Sequence, residues 1–147
     1  MVGGWVGFTE GMSYWLIKTE PEVYGWEKFA KDKKTVWDGV ENALALKHMR
    51  TMKKGDLCLY YHTGDERRVM GVAEVVSEAY QDPTKTDSKL VVVDVKVKSK
   101  MKIPVTLPMI KDDIAFVGWD LTRIGRLSVV PTPEAMFKRV VELGKGV

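Results

Sequence analysis

Apolar and polar positions along this chain fall into short blocks whose period changes from one block to the next. YWLI at 14–17 is a continuous apolar run that passes into polar KTE and stops at Pro21, which predicts a short strand. Trp26 and Phe29 stand three apart, the spacing of one helix face, so a short amphipathic helix is expected over 24–29. Leu44, Leu46, Met49 and Met52 recur at nearly helical intervals among basic residues, and Gly55-Asp56 closes the segment. That pattern predicts a helix over 42–52 delivered into a turn. LCLYYH at 57–62 and VMGVAEVV at 69–76 are β-rich runs separated by polar TGDERR, the signature of a hairpin with a longer loop. From Leu90, LVVVDVKVKSK changes from continuous apolar to strict alternation at Val93, Val95 and Val97, as in a strand buried at one end and half-exposed at the other.

The Pro-bounded stretch IPVTLPMI leads to an expected short helix over 109–115, and GRLSVVP at 125–131 reads as another strand. TPEAMFKRVVELG reads as a terminal helix with Thr132 as N-cap, Pro133 at the first helical position and Gly144 as its stop. Strands outnumber helices and follow one another directly, which argues against a doubly wound parallel sheet. The expected class is mixed α+β: a small, strongly bent, mostly antiparallel sheet or barrel flanked by short helices and a C-terminal helix. Residues 1–11 carry no period and read as an N-terminal extension, with residues 12–147 forming one domain.

Composition adds limits to this picture. A chain of 147 residues with 45% hydrophobic content suffices for a packed core. No apolar run approaches the roughly 20 residues that cross a bilayer, and the opening MVGGWVGFTEGM lacks the features of a signal peptide. No membrane partner is expected, and the expected compartment is the cytoplasm, or the nucleus in a eukaryote. The single cysteine, Cys58, has no internal disulfide partner and reads as a core thiol within LCLYY. The 23 basic and 20 acidic residues leave a formal charge of +3, with lysines gathered at 31–34, 47–54 and 96–102. Such clusters suit a polyanion partner and solvated faces equally.

No phosphate-cradling glycine loop, paired-cysteine spacing or nucleophile elbow occurs in the chain. His48 and His62 lie far apart without ligand-spaced neighbours, so neither a metal nor a cofactor is expected. Asp65 and Glu66 adjoin Arg67 and Arg68, which would hold them ionised and unsuited to acid–base work. What remains is a set of polar and aromatic residues at strand ends: Lys18, Thr19 and Glu20; Trp37, Asp38 and Asn42; Tyr61, His62 and Thr63; Arg126 and Ser128. An aromatic wall with a few edge-reading polar groups is how binding modules hold one planar base. TVWDGVEN at 35–42 reads as a loop, where Trp37 either plugs one end of the barrel or faces such a pocket.

In order along the chain stand YWLIKTEP, TVWDGVEN, MKKGDL, YYHT, GVAEVV, AYQDPT, VVVDV, PVTL and GRLSVVP. This series resembles the EVE domain family of the PUA-like group, from Met12 to the terminal helix. The resemblance implies a PUA-like bent β-barrel flanked by helices, and a non-catalytic, nucleic-acid-binding role. EVE domains resemble the YTH domains that hold N6-methyladenine in an aromatic cage, and the implied ligand is a modified base such as 5-methylcytosine or an oxidised form in DNA, with RNA a second possibility. By that similarity Trp37 is a cage wall, and Lys18, Thr19 and Glu20 border the pocket. Asp38 and Asn42 offer polar contacts or hold the loop, while Tyr61, His62 and Thr63 form the opposite lip. Ser128 lies near the opening with Arg126, which would meet a phosphate. Against the family pattern, Glu41 stands where arginine is common and Leu90 where an aromatic is usual; Thr63 replaces serine and Val130 replaces glutamine. Two other readings stay open: a small hydrolase using His62 with Asp38 or Glu20, and an RNA-binding adaptor of RNA-modification machinery.

Overall fold

The computed structural model describes residues 11–145, so the expected extension lies outside the described residues except for Gly11. The first strand, β1 (Tyr14–Thr19), leads into two short helices, α1 (Pro21–Tyr24) and α2 (Trp26–Asp32). The single helix expected over 24–29 is thus interrupted at Gly25, where a Cβ would lie 2.7 Å from the Pro21 carbonyl oxygen. Trp26 and Phe29 do share the buried face of α2. β2 (Lys34–Trp37) follows, then α3 (Ala43–Thr51), β3 (Leu57–His62), β4 (Arg68–Val75) and the two-residue β5 (Tyr80–Gln81). The long β6 (Val91–Thr106) is succeeded by α4 (Leu107–Lys111), a 3₁₀ turn (Ile114–Phe116), α5 (Asp120–Arg123), β7 (Val129–Pro131) and α6 (Glu134–Gly144).

Several expected boundaries shift for identifiable reasons. The first three residues of TVWDGVEN are strand rather than loop, because Lys34–Trp37 pairs antiparallel with Lys96 to Val93 of β6. β6 runs through Pro104, beyond the expected strand. Its register against β4 jumps from Gly71↔Lys100 to Val69↔Val105, so the proline sits in a bulge where no ladder hydrogen bond is lost. The helix expected over 109–115 is divided into α4, capped by Thr106 Oγ1, and the 3₁₀ turn, capped by the Asp113 carboxylate. α6 begins one position later than expected: Pro133 occupies the cap, and the Thr132 hydroxyl donates to the Val130 carbonyl instead.

The strands form one seven-stranded sheet in the order β2-β6-β4-β3-β1-β7, with β5 added to β6. All pairings are antiparallel except β1 with β3. The hydrogen-bonded path is open, with β2 and β7 at its ends, yet residues of β2 and β1 line a common cavity. The sheet therefore curls until β2 faces the end of β1 across a gap. Its inner face is filled by an aromatic cluster. Phe29 and Tyr60 stack at 4.8 Å, while Trp26 and Trp37 meet Tyr60 edge-on at 5.2 and 5.4 Å. On the outer face, α6 buries Phe137, Val140 and Val141 against β1 and β6. Cys58 is fully buried, and burial drives its thiol pKa well above the usual range, as suits a packing role.

Candidate functional site

The gap between β2 and the end of β1 is a cavity of about 380 Å³, within the range of roughly 300–1,000 Å³ typical of small-ligand pockets. Trp37, the last residue of β2, is only 7% exposed, yet it belongs to the cavity wall. The ring packs in the core edge-on to Tyr60, and the same residue lines the cavity. Beyond it the chain turns through Asp38 and Gly39, whose φ of 77° favours glycine. Val40 and Glu41 continue the wall. Asn42 falls just outside the lining: its side chain caps α3 by accepting from the Ala45 amide at 3.0 Å, which anchors the end of the turn.

The facing wall comes from the other end of the sheet, where β1 ends beside Ser128. Lys18 and Thr19 end β1, and the Lys18 amide donates to the Ser128 carbonyl at 3.0 Å, holding Ser128 beside them. The Lys18 ammonium donates to the Gly125 carbonyl at 2.8 Å and stands 5.9 Å from the centre of the Tyr61 ring. Its partial burial lowers its pKa below the usual lysine value. Helix α1 supplies Val23 and Tyr24. The Tyr60 hydroxyl donates to the Tyr24 carbonyl at 2.7 Å, fastening that short helix to the aromatic core.

A second cavity of about 340 Å³ adjoins the first and shares Lys18, Thr19, Val23 and Ser128 with it. Its remaining lining is Glu20, Thr63, Gly125 and Arg126. Thr63 is set there by two bonds to the Thr19 carbonyl, from its amide at 2.9 Å and its hydroxyl at 3.3 Å. The expected site residues thus divide: Trp37 and Asp38 line the first cavity, Glu20, Thr63 and Arg126 the second, and Lys18, Thr19 and Ser128 both.

Tyr61 and His62 line neither cavity. His62 is buried; its Nε2 accepts from the Trp26 amide at 2.9 Å, which leaves the proton on Nδ1 to be donated to Glu66 at 2.8 Å. The histidine that the hydrolase alternative pairs with Asp38 or Glu20 is bonded to Glu66 instead: one ring nitrogen ties α2 to the end of β3, and the other holds the loop that follows β3. The bond from His62, with help from Arg68, holds the Glu66 carboxyl below its usual pKa. Leu90 lies outside the lining of both cavities and packs on the core, while Val130 is fully buried in β7. Sequence reasoning missed Val23, Thr35 and Val36. Their one available signal is apolar or β-branched character at positions that a helix face or a core would not need.

A larger cavity of about 490 Å³ lies where β1 begins and β7 ends, lined by Trp15 and Trp119 among others, and it contains none of the expected site residues. Its acidic groups Asp120 and Glu134 are already paired with Arg123 and Lys138. Among the described residues no cluster of three or more His, Cys, Asp or Glu could hold a metal ion. No described helix is long and apolar enough to cross a membrane.

Comparison with known proteins adds relatives to this geometry. The EVE domain family model matches residues 13–143. Thymocyte nuclear protein 1 of Danio rerio is 37% identical over 89 residues, which are 52% of this chain and 38% of that protein. The chain thus spans less than half the length of the curated relatives it matches. Among solved structures, Rpa0253 of Rhodopseudomonas palustris superposes with a TM-score of 0.86 at 37% identity, covering 90% of this chain and 93% of that one. Human THYN1, solved in complex with DNA containing 5-methylcytosine, superposes with a TM-score of 0.80 at 29% identity, covering 90% and 97% of the two chains.

Proposed function

The chain belongs to the EVE domain family, and from that membership we propose that it is a non-catalytic module that binds nucleic acid by receiving a modified base in the cavity walled by Trp37. The base is 5-methylcytosine or an oxidised form of it, presented in DNA and drawn out of its stack. The observation that carries this reading is the placement of an enclosed indole on the wall of a cavity of small-ligand size, between polar groups from both ends of a PUA-like sheet. The relation to human THYN1, whose complex holds DNA containing 5-methylcytosine, supports the choice of ligand.

In this reading the ring face of the base stacks on Trp37, an interaction worth about 1–3 kcal/mol. Asp38, Thr19 and Ser128 meet its polar edge, and Lys18 flanks it. Carboxylate acceptance from a cytosine amino group is an established pairing, which gives Asp38 a role. Asn42 holds the turn that carries Trp37 and Asp38. Arg126, exposed on the neighbouring cavity, meets a backbone phosphate. A binding role rather than catalysis is supported by His62, whose two nitrogens are both engaged away from the cavities.

The test is a titration of single-stranded oligonucleotides carrying 5-methylcytosine, 5-hydroxymethylcytosine or cytosine at one position, at two salt concentrations. The modified strands should bind more tightly, and Trp37→Leu should weaken them about ten- to hundredfold while removing the preference. Leucine keeps much of the apolar volume against Tyr60, and a melting curve checks the fold. Equal affinity for the three strands, or an unchanged preference in the variant, overturns the proposal.

A further inference from the structure

We infer that the site reads a dinucleotide step: the second cavity receives the nucleotide adjoining the base held by Trp37, and the linking phosphodiester crosses at Lys18. This inference rests on the reading of the first cavity as a base pocket.

The two cavities share four lining residues, so a ligand that fills the first has its open side against the second. The shared wall has an apolar part and a polar part. Val23 is 65% exposed, and it belongs to both linings. An exposed apolar side chain between two nucleotide-sized spaces has the position of a wedge between neighbouring bases, a device that nucleic-acid-binding proteins use to hold unstacked steps apart. Lys18, Thr19 and Ser128 form the polar part. One ammonium hydrogen of Lys18 is given to Gly125, and the other two are left for phosphate oxygens. Because burial disfavours the charged ammonium, an anion bound there recovers part of that loss.

The second cavity differs from the first in its chemistry. It has no aromatic wall, and its own residues are Thr63, Gly125, Arg126 and Glu20. Hydroxyls and a guanidinium suit a sugar and a phosphate more than the face of a base. The Glu20 carboxylate repels phosphate, which places the phosphodiester at the Lys18 end and leaves Glu20 to accept from a sugar hydroxyl or a base amino group. The asymmetry of this wall also fixes polarity, because only one of the two neighbours of the captured base can lie on that side.

The experiment is competition against a labelled ten-residue strand containing one 5-methylcytosine. The competitors are 5-methyldeoxycytidine and the two dinucleoside monophosphates that join it to thymidine, one on its 5′ and one on its 3′ side. One dinucleoside monophosphate should compete about tenfold better than the nucleoside, the gain of a charge-assisted phosphate contact, and the other should resemble the nucleoside. Lys18→Met should bring the ratio of the better dinucleotide to the nucleoside towards one, as should Val23→Ser. Equal competition by all three compounds, with Trp37→Leu still weakening each, overturns the dinucleotide reading and leaves the base pocket standing. Loss of any dependence on Trp37 overturns both.

Discussion

Glu41 lines a cavity that on the proposed reading must admit a nucleotide, and its exposed carboxylate opposes the phosphates that accompany the base. Such a repulsion between solvent-exposed charges is modest and screened by salt. Glu41→Gln should therefore tighten binding of a methylated single strand about two- to threefold at low ionic strength, with the gain shrinking as salt rises. Fluorescence anisotropy at two salt concentrations measures it, and an unchanged low-salt affinity would place the backbone away from this turn. Residues near Glu41 also mark how far the site was legible in the sequence. Trp37 and Asp38 were singled out from a local anomaly, a large aromatic beside a turn signal, and the structure puts both on one wall. His62 was not legible in the same way. Its tautomer is set by the Trp26 amide, 36 positions earlier, and no local pattern announces that bond. Val23 escaped because an exposed valine on a four-residue helix looks like any surface residue.

Elements built on local signals were the easiest to foresee. The β3–β4 hairpin, the alternating half of β6 and the amphipathic α6 follow from periods readable within a dozen residues. The parallel pairing of β1 with β3 joins Tyr14 to Leu57 across α1, α2, β2 and α3, and no period encodes it. β2 has the look of a loop in the sequence because its four residues are too few to show a period, and only pairing with β6 makes them strand. The packing of α2 on the sheet shows how tight these non-local contacts are. A Cβ on Gly71 would lie 2.4 Å from Trp26 Cη2 and 2.7 Å from the Ser99 carbonyl oxygen. Gly71→Ala must push the indole off β4, and Trp26 is the residue whose amide binds His62. A loss of about 1–3 kcal/mol is expected from such overpacking, read as a lower denaturant midpoint at unchanged slope. An unshifted midpoint would mean that α2 is free to slide along the strand.

For the whole molecule, the near balance of 23 basic and 20 acidic residues bears on how nucleic acid would be held on the proposed reading. A protein that tracks a long stretch of backbone needs many unpaired cations. Here Lys96 and Lys98 lie against Glu74, and Lys100 lies against Glu27, so much of the lysine-rich part of β6 is partly neutralised. The cations that line the paired cavities are Lys18 and Arg126. Two phosphate contacts to a single strand predict a slope of log affinity against log salt of about −1.4, which is a loss of about sevenfold between 50 and 200 mM salt. Arg126→Gln should flatten that slope by about 0.7, while a neutral change in the aromatic wall should lower affinity and leave the slope alone. On the proposed reading, affinity comes from the cavity at the gap in the sheet rather than from an electrostatic track. A measured slope near −5, unaffected by Arg126, would reverse that assignment and put the backbone on the lysines of β6.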